Sequence, residues 1–220
     1  MNTNPENTRT DRSLPALCWI IALLVVVIPL SSCSSESNDS ARSSQHTPQE
    51  QSSGGSSPDE LNAQQLRTAA LEGEIGKVRA AIEEGIDVNA SDQRGRTALM
   101  LAAFNGHTEV SRILLEAGAR VEDKNTEGRT PLIFAASGPY AETVELLLEW
   151  EADPNTADQV EGWSALMFAA AGGHEEVVST LLEYDTDTQL KDKDGDTAIK
   201  FARDNNHPEV VSLLEENNTQ

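Results

Sequence analysis

Cysteine is almost missing from this chain. Two occur in 220 residues, Cys18 and Cys33. Nothing beyond residue 33 carries a thiol, so no disulfide staples the body of the protein and no cysteine-based zinc site forms there. The fold must stand on packing. Positive charge is the second shortage: 16 Lys+Arg face 37 Asp+Glu, a formal net charge of −21. With no basic stripe to neutralise phosphates, the composition argues against a nucleic-acid partner. An acidic surface instead favours a basic partner. Catalytic signatures are the third. There is no G-x-S-x-G, no phosphate-cradling loop and no H-E-x-x-H. "GGHEEVV" at 172–178 has the beginning of a zinc helix but lacks the second histidine. Neither catalysis, nor a cofactor, nor a small-molecule substrate is expected.

The longest apolar run lies near the N-terminus. Residues 1–12 are polar and include Arg9 and Arg12; residues 14–30, "LPALCWIIALLVVVIPL", carry no charge; "SSC" follows. Basic region, apolar region and small residues form the layout of a secretory signal. At 17 residues the run sits at the short limit for a membrane span, and Pro15 and Pro29 shorten any helix in it. "LSSC" (30–33) resembles the lipobox of bacterial lipoproteins. That resemblance implies that residues 1–32 are a signal peptide, cut before Cys33, and that the Cys33 thiol is acylated. Ser34 in the next position implies sorting to the outer membrane of a two-membrane envelope, facing the periplasm. Several acyl chains on one residue anchor stably, at about 0.8 kcal/mol per buried CH₂. The alternative is an uncleaved anchor. Residues 33–58 read as a disordered tether: ten serines fall in 34–58 with almost nothing apolar. Such a coil holds its ends roughly 25–30 Å apart. His46 is a solvated linker residue.

From residue 59 onward the chain repeats itself. The units are 59–91, 92–124, 125–157, 158–191 and 192–220, with turn glycines Gly95, Gly128, Gly162 and Gly195 spaced by 33, 34 and 33. Thr97, Thr130, Ser164 and Thr197 stand at helix N-cap positions and Pro131 at a first helical position. The pairs Ala102/Ala103, Ala135/Ala136 and Ala169/Ala170 let each unit's first helix approach its neighbours. Val110, Ile113 and Leu114, then Val144, Leu147 and Leu148, place apolar side chains three and four apart on the second helices. Each pair is too small to bury its own apolar face, so stacked units must bury one another's.

The period, with "GRTPL…AA…VELLL", resembles the ankyrin repeat. The resemblance covers 59–220 and implies an all-α solenoid of stacked helix-turn-helix units with β-hairpin-like tips. This chain departs from the family pattern in places. Met100, Ile133, Met167 and Lys200 replace the histidine that normally links neighbouring units, so that polar link is expected to be lost. The glycine closing the second helix is kept as Gly85 and Gly118 but becomes Glu151 and Asp185, where looser turns are expected. The extra residue near Val160 should bulge the tip ahead of Trp163. The first unit lacks the "TAL" start, and the last carries Lys200, Arg203 and Glu215 at otherwise apolar or small positions, as solvated caps would.

"DKDGDT" at 192–197 looks at first like a calcium loop. An EF-hand needs glycine at loop position 6 and a bidentate glutamate at 12; here those are Thr197 and Arg203. The repeat register explains the stretch instead. A calcium-binding protein using acidic tips is kept as the alternative function. His107, His174 and His207 share one position at the start of second helices. Units stack roughly 10 Å apart and zinc needs nitrogens at about 2 Å, so these are helix-start residues and no metal site is assigned.

The resemblance implies protein binding along a concave face of tips and first helices. By register that face holds Gln93, Arg94, Arg96, Phe104, Asn105, then Thr126, Glu127, Arg129, Ser137, Tyr140, then Val160, Glu161, Trp163, and finally Lys193, Asp194, Asp196, Asp204. Trp163, Phe104 and Tyr140 are the expected hot spots, because buried aromatics dominate interface energy. Trp150 is expected to pack on the outer side. The expected function is a lipid-anchored envelope protein that binds another, basic protein stoichiometrically, as an immunity or inhibitor protein or as a scaffold protecting an envelope enzyme.

Overall fold

The computed structural model describes residues 58–218; the expected signal segment, Cys33 and nearly all of the tether lie outside the described residues. Ten helices in five antiparallel-type pairs follow one another: α1 Pro58–Glu72 and α2 Ile75–Glu83, α3 Ala98–Phe104 and α4 Thr108–Glu116, α5 Pro131–Ala136 and α6 Ala141–Glu149, α7 Ala165–Gly172 and α8 Glu175–Leu182, α9 Ala198–Asp204 and α10 Pro208–Asn217. Among the described residues there is no strand. The one isolated bridge joins Ala157 and Ser164 across the longest tip. None of the described helices is long and apolar enough to cross a membrane.

The first helices of the inner units start where the sequence predicts. Thr97, Thr130 and Ser164 are extended, and their side-chain oxygens accept from the N–H of Met100, Ile133 and Met167. Thr197 holds the same backbone geometry without that bond. Helices of six to nine residues are not stable alone in water, so stacking must supply the stability. The first helices are apolar nearly all round. Every residue of α5 is buried, as expected for a helix covered on both flanks. The second helices are amphipathic; α4 buries Val110, Ser111, Ile113, Leu114 and Leu115.

First helices pack on first helices and second on second. The alanine pairs are fully buried and bring the first-helix layer closest. The stack therefore bends toward that layer, which becomes its concave side. One core runs unbroken from Leu66 to Leu214. Each leucine fully buried in it, such as Leu114 or Leu147, contributes roughly 1.5–3 kcal/mol.

Two polar ladders fix the spacing of units. On the outer side, Asn89 donates to the Gly118 carbonyl (3.1 Å) and accepts from Arg120 N–H (2.9 Å). Asn155 does the same with the Asp185 carbonyl and Asp187 N–H. Glu122 stands between them in register and makes half of this contact, accepting from Asp153 N–H. On the inner side Met100, Ile133 and Met167 are buried apolar side chains, as expected in place of the usual histidine, but other histidines link the units. His107, His174 and His207 reach back to the carbonyls of Leu71, Ser137 and Ala171 in the preceding unit, at 3.0, 3.3 and 3.1 Å. A carbonyl only accepts, so each Nε2 carries the hydrogen.

The two non-glycine closures diverge. Glu151 adopts φ +65° and closes α6 with the same backbone pair as Gly118 closes α4, Glu151 N–H to Leu148 and Ala152 N–H to Leu147. The expected loosening does not occur there. Asp185 stays out of the left-handed region, and the Leu181 carbonyl takes the Thr186 hydroxyl at 2.6 Å instead.

Candidate partner-binding face

The tips are organised by the first residue of each unit. Asp92 Oδ1 accepts from the N–H groups of Arg94 and Arg96, Asn125 Oδ1 from Glu127 and Arg129, and Asp192 Oδ1 from Asp194 and Asp196. In the fourth unit Asp158 Oδ1 takes three, from Glu161, Gly162 and Trp163. The extra residue thus bulges the tip as expected, leaving Val160 43% exposed at its crest. Consecutive tips are joined main chain to main chain: Thr126 N–H to Arg94, Gln159 N–H to Glu127 and Lys193 N–H to Glu161, at 2.8–2.9 Å. Lys193 also folds its ammonium over the carbonyls of Gln159 and Val160. The edge is continuous and pre-shaped, which lowers the entropic cost of binding.

The acidic stretch at 192–197 is held by the same arrangement. The Asp192 carboxylate is turned inward onto backbone N–H groups, and Asp196 faces Lys200 at 3.6 Å. Among the described residues no three acidic, histidine or cysteine side chains are grouped to hold a metal.

Behind the turn glycines, Arg96, Arg129, Trp163 and Asp196 form one row across four units. Arg96 closes on Asp92 through Nε (2.8 Å) and a terminal nitrogen (2.7 Å). Burial alone would raise the Asp92 carboxyl pKa; the Arg96 N–H and guanidinium and the Arg94 N–H outweigh it and hold the carboxyl below its usual value. Arg129 is mostly covered. Its Nε meets Asp158 at 3.2 Å, another nitrogen meets Glu127 at 3.0 Å, and its guanidinium lies 5.2 Å over the Phe168 ring. Asp158 is itself buried. Arg129 and Asp158 therefore staple the third unit to the fourth, and only the rim of Arg129 is left to a partner.

Trp163 is half-buried, its ring 5.1 Å from Phe168 and 4.4 Å from Phe201 of the next unit. Phe104 meets Phe134 edge-to-face at 6.1 Å. Both are partly exposed. Asn105 donates to the Leu71 carbonyl at 2.7 Å, so its amide is committed to the stack. Arg94 and Asp194 are exposed; Glu127 and Asp196 are half-buried. Tyr140 is corrected. It sits at the N-cap of α6, in register with His107, with its ring against Gly106 and Gly138, where a Cβ would fall 2.1 and 2.4 Å from it. It packs units together and adds nothing to a tip. Trp150, expected to pack, is 40% exposed.

Sequence reasoning also missed the Phe134, Phe168 and Phe201 series, although the register was a signal: all three follow the same cap by four residues. Burial lowers the His174 pKa; the Ser137 carbonyl opposes this and His207 adds to the lowering.

A family model described as ankyrin repeats (3 copies) matches residues 66–158 and 151–220. A search of curated proteins found no significant match.

Proposed function

The chain belongs to the ankyrin-repeat family, whose repeats serve protein–protein interaction, and from that premise we propose that it binds one partner protein stoichiometrically through its concave face. Trp163 carries the reading: a partly exposed tryptophan is held against two phenylalanines, with exposed Val160 on the same enlarged tip. An aromatic held rigid before binding loses little entropy in an interface. Charge sets the orientation. The tip at 92–97 has two arginines against one aspartate. In the tip at 158–164 Asp158 is buried against Arg129 and Glu161 is the exposed carboxylate; in that at 192–197 Asp194 is exposed while Asp196 faces Lys200. A basic surface of the partner belongs on the fourth and fifth units.

In the same reading the protein is not an enzyme. It is held to the cell envelope by acylated Cys33, at the outer membrane facing the periplasm, with residues 34–58 setting its reach. Its role is that of an immunity or inhibitor protein occluding a basic envelope toxin or enzyme, or a scaffold protecting such an enzyme. Affinity capture from envelope extract, comparing wild type with Val160→Lys, tests the face, because Val160 is exposed on the tip and a cation there opposes a basic partner. The partner should be lost with the circular dichroism unchanged; equal recovery disposes of the face. Mass spectrometry of the mature N-terminus should find acylated Cys33, and an intact Met1 rules the anchor out.

A further inference from the structure

The outer layer has an aromatic pair that neither the core nor the concave face uses. Trp150 and Tyr184 occupy one register position at the ends of α6 and α8, where the second unit has Ala117. Trp150 is 40% exposed and Tyr184 half-buried. Beside them the second-helix face changes character. Arg79 and Arg112, at one register position in α2 and α4, both pair with Glu109 at 3.5 and 3.9 Å. In α6 and α8 that position holds Glu145 and Ser179. The cations disappear where the aromatics begin.

Glu145, Glu149, Glu151, Glu183 and Asp185 are exposed there, and none of them is in an ion pair. Glu149 and Glu151 flank Trp150 in the chain, and Glu183 and Asp185 flank Tyr184; burial raises the Tyr184 hydroxyl pKa, and Glu149, Glu145 and Glu183 add to the rise. Neither helix has a basic residue in its last turn, so the negative helix ends add to the field. An exposed indole flanked in the chain by two exposed, unpaired carboxylates suits an arginine side chain, whose guanidinium can stack on the ring while its N–H groups reach for the carboxylates.

We propose that the Trp150–Tyr184 strip is a second docking surface, for an arginine-rich segment of a partner protein, on the side of the array away from the concave face. The probe is a labelled peptide of alternating arginine and alanine, with its lysine counterpart, titrated into the full chain at about 0.15 M salt, where distant charges are screened. The indole N–H signals of Trp150 and Trp163 report the location. Trp150 should shift and Trp163 should not, which separates this surface from the concave one. Trp150→Ala should weaken the arginine peptide about two- to fivefold, the size of one exposed cation–π contact. Glu149→Gln should weaken it while Glu209→Gln, exposed on α10, does not, and the lysine peptide should bind less tightly. Unchanged affinity in Trp150→Ala, a shift at Trp163 in place of Trp150, equal losses in the two Glu→Gln variants, or equal affinity for both peptides would overturn the proposal.

Discussion

On the inner side of the array, most joints between units repeat the same bonds: a tip N–H to the previous tip's carbonyl, and a histidine Nε2–H to the previous first helix. On the outer side the joints depend on particular side chains and vary. Asn89 and Asn155 make two bonds each, Glu122 one. Three irregular features lie there: the unmet Ser111 hydroxyl, the left-handed Glu151 and the rearranged end of α8. Main-chain bonds survive substitution at their own positions, so the inner geometry persists while side chains on its rim change. The outer ladder is made by side chains alone and changes with them.

The sharpest way to break that comparison is to remove an inner joint that does depend on a side chain. Asp158 is buried, takes three backbone N–H groups and pairs with Arg129 across units. Asp158→Ala leaves those donors and a covered guanidinium unmet, and should cost about 3 kcal/mol in urea unfolding. Asp158→Asn keeps the acceptor for the N–H groups and should cost less. A loss below about 1 kcal/mol for the alanine variant would mean that main-chain bonds alone hold the fourth tip.

An outer substitution should move stability the other way. Ser111 is wholly buried and its Oγ has no hydrogen-bond partner. Val78, Val144 and Val178 hold the same register position in three other units, also fully buried. Ser111→Val should therefore fit and stabilise by about 1–2 kcal/mol, by removing an unmet hydroxyl and adding apolar contact. A loss of stability would show that the second unit is shaped around the smaller side chain.

Much of the architecture was legible because it repeats. The 33-residue spacing of glycines, the cap threonines and the alanine pairs each report a local requirement that recurs. What was not legible crosses from one unit to the next. The position of His107 reveals a helix start, but its bond to Leu71 lies 36 residues away. Arg129 reads as an exposed tip cation until Asp158 of the next unit is seen against it. Tyr140 reads as an interface aromatic until the two glycines under its ring are placed. Trp163 was legible as an aromatic in an unusual position; that Phe168 and Phe201 hold it required the stack.

The finest test separates the two non-glycine helix ends. Glu151 accepts left-handed geometry so that Ala152 N–H can reach Leu147, and a residue with a Cβ is strained at that φ. Glu151→Gly should relieve the strain and gain about 0.5–1 kcal/mol, less the extra freedom glycine gives the unfolded chain. Asp185 has already avoided the problem, because Thr186 supplies a hydroxyl to Leu181 in place of a backbone N–H. Asp185→Gly has no strain to relieve and meets only the entropic cost, so it should be neutral or slightly destabilising. The urea midpoints of the two variants should therefore move apart from wild type in different directions. Equal gains would show that the fourth unit is also strained at its helix end and that the hydroxyl bond to Leu181 is a poor replacement for the backbone one.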